Sequence, residues 1–122
     1  MASLNKWQGI GNVGKDPETK YAPNGTMIMN FSLATSKKWK EGEEWKEKTQ
    51  WHNIAVFGKL CENIKLVKGD VAYIEGEIQN NEYTDGQGNK HYSYNITAQV
   101  VKFIAHKAVK QEDQAPQEDG AL

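Results

Sequence analysis

The sequence of 122 residues has one cysteine, no arginine and no long apolar run. A single cysteine, Cys61, excludes an internal disulfide, so we expect a reducing compartment, the cytoplasm. The apolar runs are short, as at residues 54–57, whereas a membrane-spanning helix needs about 20 such residues. The first residues also lack the apolar stretch of a secretory signal. We therefore expect no membrane association.

Size and charge predict one domain followed by a tail. A mass of 13.8 kDa is that of one ordinary domain, and 38% hydrophobic residues suffice for its core. All 15 basic residues are lysines, and 12 of the 16 acidic residues precede position 111. The body is therefore mildly basic and the last residues are acidic. We predict a domain over residues 1–106 and a disordered acidic tail over residues 107–122.

Alternating apolar and polar residues predict a mainly β domain. In residues 26–35 the apolar side chains recur at every second position, which is typical of a strand with one buried face. Similar patterns predict strands at residues 4–13, 50–57, 71–79 and 92–104. Glycine, proline and asparagine clusters separate these segments and predict loops.

One segment has helical spacing. Leu60, Ile64 and Val67 fall at i, i+4 and i+7, which predicts a short helix within residues 59–67. The order is then three strands, a helix and two strands. This order is typical of the all-β OB fold, a five-stranded, partly open barrel with one short helix between strands 3 and 4.

Two sequence features resemble catalytic or metal-binding motifs, but their sequence context favours neither function. Residues 9–14 match G-x-G-x-x-G, but no helix pattern follows them, so the pattern does not favour the alternative of a dinucleotide-binding enzyme. Cys61 has no second cysteine at metal-ligand spacing, and the three histidines are scattered. We therefore predict no metal, no cofactor and no enzymatic activity.

Two tryptophans lie in a lysine-rich segment without apolar neighbours. Trp39 follows Lys37 and Lys38, and Trp45 lies among glutamates and lysines. The two indoles could pack against each other across Gly42 at a hairpin tip. Alternatively, the segment presents aromatic faces and positive charge to nucleic acid bases and phosphates.

The third predicted strand favours the second interpretation. Trp51 and Phe57 share one face, whereas His52, Ile54 and Val56 share the other. The aliphatic face supplies the barrel interior, and His52 faces either the interior or a subunit contact. The aromatic face could also be a subunit contact, but the neighbouring lysines favour binding.

The missing arginines limit how such a site could read sequence. Bidentate arginine contacts to guanine are the commonest specific base readout. Stacking on aromatic rings accepts any base, and lysines attract phosphates as point charges. We therefore predict sequence-tolerant binding, with single strands preferred because a duplex offers no free base faces.

Seven motifs resemble those of the bacterial-type single-stranded DNA-binding protein family, in the family's order. They are NVGKDPE (12–18), YAPNG (21–25), FSLATS (31–36), TQWH (49–52), VFGKL (56–60), KGD (68–70) and YIEG (73–76). The resemblance implies an OB domain that assembles as a homotetramer and wraps single-stranded DNA in replication, recombination and repair. It implies stacking by Trp39, Trp51, Phe57 and Tyr83.

Lysines supply the predicted contacts to the phosphates of the DNA. The predicted phosphate contacts are Lys15, Lys20, Lys37, Lys38, Lys40, Lys48, Lys59 and Lys68.

The first strand departs from the family pattern, so a dimer is an alternative to the tetramer. The end of the chain lacks the family's Pro-Phe, which suits a phage, plasmid or accessory member and leaves partner docking by the tail unassigned. The alternative function is a protein-interaction module with little affinity for DNA.

Overall fold

The structure, a computed structural model, describes residues 1–106, which contain six strands and one 3₁₀ helix. The predicted tail lies outside the described residues. The elements are β1 (Trp7–Val13), β2 (Glu18–Tyr21), β3 (Met27–Glu41), β4 (Glu44–Phe57), the 3₁₀ helix (Gly58–Asn63), β5 (Val71–Thr84) and β6 (Lys90–Ala105). Within the described residues, no helix is both long and apolar enough to cross a membrane.

Five of the strands close into a barrel. Their order is β1-β5-β6-β4-β3, and β3 pairs back onto β1 at Asn12 opposite Ala34 and Val13 opposite Leu33. Neighbouring strands are antiparallel, except that β4 and β6 run parallel. The predicted five-stranded OB fold is thereby confirmed. The sequence patterns miss only β2, a four-residue strand on the outer edge of β3 with no buried residue.

The barrel interior is aliphatic. Its most deeply buried side chains come from β3, β4, β5 and β6, and they are Leu33, Ile54, Val56, Ile74 and Ile96, each at most 1% exposed. These residues occupy alternate positions of their strands, so each strand turns one face inward. Burial of this apolar surface is the main force that closes the barrel.

The helix between the third and fourth barrel strands is confirmed but is shorter than its spacing predicts. A 3₁₀ helix covers Gly58–Asn63, and Ile64 is already extended, with φ −92° and ψ 121°. Leu60 and Ile64 still pack against the core, whereas Val67 is 52% exposed. The apolar spacing therefore reflects the contacts of Leu60 and Ile64 with the core. These contacts form without a continuous α-helix.

Two long hairpin arms project from the barrel. β3 and β4 pair as far as Glu41 opposite Glu44, with Gly42 at φ +66° in the turn, and β5 and β6 pair as far as Thr84 opposite Lys90. The predicted strands stop short of both tips. Alternation is visible only where one face is buried, and both faces of each arm are exposed.

Candidate functional site

The outer face of β4 carries two exposed aromatic rings. Trp51 is 58% exposed and Phe57 is 47% exposed. Ile54 and Val56 point into the barrel, so the alternation of the sequence places the rings correctly. Ala55 also faces outward, but it is buried because β3 and β6 flank it.

Trp51 lies over a surface of small residues. It is directly opposite Ala34 on β3, and a Cβ atom at position 14 would overlap its six-membered ring. Gly14 and Ala34 therefore leave room for the indole. Trp51 and Lys68 line the same groove, so a lysine from the loop before β5 lies beside this ring.

Phe57 belongs to a row of side chains that crosses three strands. Lys20 of β2 is opposite Ile28 of β3, and Ile28 is opposite Phe57 of β4. Residues opposite each other in an antiparallel pair share a face, so the three side chains lie side by side. The unpredicted strand β2 thus brings Lys20 to the outer face. Lys59 follows Phe57 in the 3₁₀ helix.

The β3–β4 arm has a tryptophan on each face. Trp39 is opposite Lys46, whereas Trp45 is opposite Lys40, so the two indoles project from opposite sides of the ribbon. The interpretation in which they pack on each other across Gly42 is therefore wrong. An even separation in sequence does not place two residues on one face when a turn lies between them.

Lysines accompany both tryptophans of this arm. On one face, Lys37 is opposite Lys48, and the Lys37 Nζ atom lies 5.9 Å from the centre of the Trp39 ring. On the other face, Trp45 lies beside Lys40. This second face is continuous with that of Trp51, so Trp45 is a candidate site residue in addition to the four aromatic residues that the family resemblance implies.

Tyr83 reaches the same outer surface from the other arm. It is 57% exposed and lies opposite His91 near the tip of the β5–β6 arm. The outward residues of β6 are the odd-numbered ones in this region, since Ile96 is buried and Thr97 is opposite the outward Ala55. His91 and Tyr83 therefore face outward. The position implied by the family resemblance lies on the surface that carries Trp51 and Phe57.

A polar groove lies between these aromatic positions. Its polar lining consists of Asn30 from β3, Asn53 from β4 and Asn95 from β6, together with Ser32, Lys15 and Glu18. None of the three amides makes a side-chain hydrogen bond with another described residue. The sequence pattern does not reveal this set because its members come from three strands, and only the barrel brings them together.

Most of the predicted phosphate-binding lysines have no acidic partner within residues 1–106. Lys15 is the exception, with its Nζ atom 3.9 Å from a Glu18 carboxylate oxygen. The other seven have no carboxylate oxygen within 4 Å among the described residues. Lys38 lies directly opposite Glu47 on the arm. The positive charge of the other lysines is available to an anionic ligand.

The inward residues near the site have structural roles. His52 Nε2 hydrogen-bonds the Thr35 hydroxyl at 2.9 Å, and its ring lies 5.0 Å from that of Trp7. Burial lowers the pKa of His52, which favours the neutral imidazole. His52 therefore lies on the inner side of β4, as the alternation predicts.

The alternatives based on glycine and cysteine find no support. Residues 7–12 pair continuously with β5, so the G-x-G-x-x-G match lies mainly within a strand and does not open a helix. Burial raises the pKa of the Cys61 thiol, which donates to the Val56 carbonyl oxygen at 3.2 Å. Among residues 1–106, no three histidine, cysteine or acidic side chains form a metal-binding group.

An OB barrel whose outer face carries exposed aromatic rings and unpaired lysines has the architecture of an oligonucleotide-binding OB domain. A sequence profile of the Single-strand binding protein family matches residues 4–104. The chain belongs to this family.

Individual relatives agree with the profile. The chain is 40% identical over 111 residues to Single-stranded DNA-binding protein 1 of Xylella fastidiosa, covering 88% of this chain and 82% of the relative. It is 40% identical over 121 residues to the Single-stranded DNA-binding protein of Neisseria meningitidis, covering 97% and 69%. The solved complex of a Plasmodium falciparum SSB with ssDNA is 28% identical, with a TM-score of 0.77 over 85% of this chain and 97% of that one.

Proposed function

We propose that this protein binds single-stranded DNA, with little regard to sequence, on the outer face of its barrel. The observation that carries the proposal is the exposure of Trp51, Phe57 and Tyr83 on one continuous surface beside lysines without acidic partners. The names of the relatives, and the ssDNA in the Plasmodium complex, support the same ligand.

Each part of the surface contributes a different interaction. Bases stack on Trp51, Phe57 and Tyr83 of the outer face and on Trp39 of the reverse face of the β3–β4 arm. Each stacked base contributes about 1 to 3 kcal/mol without its identity being read. The phosphates contact lysines from the set Lys15, Lys20, Lys37, Lys38, Lys40, Lys48, Lys59 and Lys68. These contacts release counterions from the DNA, so affinity depends on salt. We add Trp45 to the stacking residues because its face is continuous with that of Trp51.

The proposal extends to the setting in which the protein works. Binding occurs without catalysis and protects single strands in replication, recombination and repair in the cytoplasm. The protein acts as a homo-oligomer, a tetramer by family resemblance or a dimer. The domain spans residues 1–106, and the acidic tail, residues 107–122, competes weakly with DNA for the lysines.

Tryptophan fluorescence and light scattering test this function together. Adding oligo-dT should quench the fluorescence of the full chain, because bases stack on exposed indoles, and light scattering should report the mass of the resulting complex. A blunt duplex of equal length is the control and should bind much more weakly. Equal affinity for the two ligands would contradict a stacking site. Absence of any binding would favour the alternative, a protein-interaction module.

A further inference from the structure

The ring of Tyr83 is covered on one side by another ring of the same arm. His91 lies directly opposite on β6, and the two ring centres are 4.9 Å apart with an angle of 16° between the planes. This geometry is that of a stacked aromatic pair. The side of the Tyr83 ring that faces His91 is therefore closed to a base, so a base can stack only on the other side.

His91 is itself held in place by the turn at the tip of the arm. Its Nε2 atom lies 2.8 Å from Asp85 Oδ2, and this hydrogen bond lowers the pKa of the Asp85 carboxyl. Asp85 Oδ1 accepts hydrogen bonds from the backbone N–H groups of Gln87 and Asn89, each at 2.9 Å. The carboxylate is therefore bound on both oxygens and cannot rotate freely.

The backbone of the turn completes this support. The Asp85 N–H donates to the Asn89 carbonyl oxygen at 3.0 Å, and the Gly88 N–H donates to the Asp85 carbonyl oxygen at 3.1 Å. The Lys90 ammonium, 3.7 Å from the Glu82 carboxylate, forms an ion pair in the adjacent part of the arm. Contacts thus run without interruption from the turn through Asp85 and His91 to Tyr83.

We propose that His91, fixed by Asp85, is a positioning residue that holds Tyr83 as a one-sided stacking platform for a single base. The inference rests on the proposed function of Tyr83 in binding single strands. An exposed tyrosine on a two-stranded arm would otherwise lose rotational freedom when a base stacks on it. The imidazole stacked on Tyr83 restricts the rotation of the tyrosine side chain before DNA binds.

A double-mutant cycle between Tyr83 and His91 tests this proposal. His91→Ala should lower the affinity for oligo-dT roughly twofold to tenfold, the effect of ordering one side chain. In a Tyr83→Ala background the same change should have no effect, because no ring remains to be positioned. His91→Phe should restore most of the affinity, since a flat ring can still stack on Tyr83.

Two controls separate positioning from other causes. Tyr92→Ala removes an exposed aromatic ring from the opposite face of the same arm and should leave affinity unchanged. Thermal unfolding of each variant reports whether the arm still folds. A loss on His91→Ala that is equal with and without Tyr83 would overturn the proposal and make His91 a direct DNA contact.

The cycle also distinguishes failure of this inference from failure of the proposed function. If the unmodified protein binds no oligo-dT, the function itself is wrong. If it binds, and His91→Ala has no effect in the presence of Tyr83, only the positioning role is wrong.

Discussion

Lys40 lies directly opposite Trp45 on the β3–β4 arm, on the face that continues to Trp51. The pairing places a positive charge beside an exposed indole, which suits a phosphate and a base of one nucleotide chain. Trp39 lies on the reverse face with Lys37. A single DNA strand that contacts both indoles must therefore cross the edge of the arm or wrap around its tip.

The two tryptophans of the arm form a matched pair of test sites. We expect Trp45→Ala and Trp39→Ala each to weaken oligo-dT binding by about 1 to 3 kcal/mol, because each removes one stacking surface. Fluorescence titration at fixed salt measures both. A loss on Trp39→Ala alone would place the strand on the reverse face and remove Trp45 from the site.

Trp51→Ala should also weaken the binding of oligo-dT by about 1 to 3 kcal/mol, because it removes one stacking surface. Trp51 is exposed on the barrel itself, so its removal should have little effect on the core. Isothermal titration with oligo-dT and a parallel denaturation curve measure affinity and stability on the same samples. Unchanged affinity with unchanged stability would exclude Trp51 from the site.

Binding should weaken as salt rises. The logarithm of the affinity should fall with the logarithm of the salt concentration by about 0.7 for each phosphate neutralised. Lys38→Gln and Lys40→Gln should each make this slope shallower by up to about 0.7. Lys102→Gln, opposite Tyr73 on another part of the barrel, is the matched control and should not change it. A salt-independent affinity would rule out lysine contacts with phosphates.

Gly76→Ala should destabilise the barrel by about 1 to 3 kcal/mol, the usual effect of overpacking. A Cβ atom at this position would collide with the backbone carbonyl oxygen of Thr97, which cannot move without disturbing the pairing of β5 and β6. Urea unfolding measures the difference. Gly86→Ala, where the added methyl would meet no atom within 4 Å, is the control. Equal unfolding midpoints would show that β5 and β6 can separate locally.

Acid should destabilise the protein partly through Asp70. This carboxylate is 2% exposed and accepts hydrogen bonds from His106 Nδ1 at 3.0 Å and the Val67 N–H at 3.1 Å. The hydrogen bond from His106, followed by that from Val67, lowers its pKa. The carboxylate therefore contributes stability above its unfolded pKa of about 3.9, and this contribution is lost as pH falls through the folded pKa.

Urea unfolding between about pH 5 and pH 2 tests the role of Asp70. The free energy of unfolding should fall more steeply in the unmodified protein than in Asp70→Asn, whose amide does not titrate. Parallel curves for the two proteins would assign the acid sensitivity to other carboxyl groups.

The sequence patterns locate the barrel strands but not the arms. Strands with one buried face, such as that carrying Leu33, alternate in polarity and are correctly predicted. The segment around Trp45 has no buried face and gives no such pattern, although it is paired along its length. β2 is missed for the same reason.

The direction of Trp51 and Phe57 was determined by the sequence itself, because successive side chains of a strand point to opposite faces whatever the strand packs against. The tertiary structure alone decided which strands lie beside β4. Closure of the barrel joins Asn30, Asn53 and Asn95 in one groove and brings the Tyr83 arm to the surface of Trp51. Such neighbours depend on the register between distant segments, and register is set by the packing of the whole core.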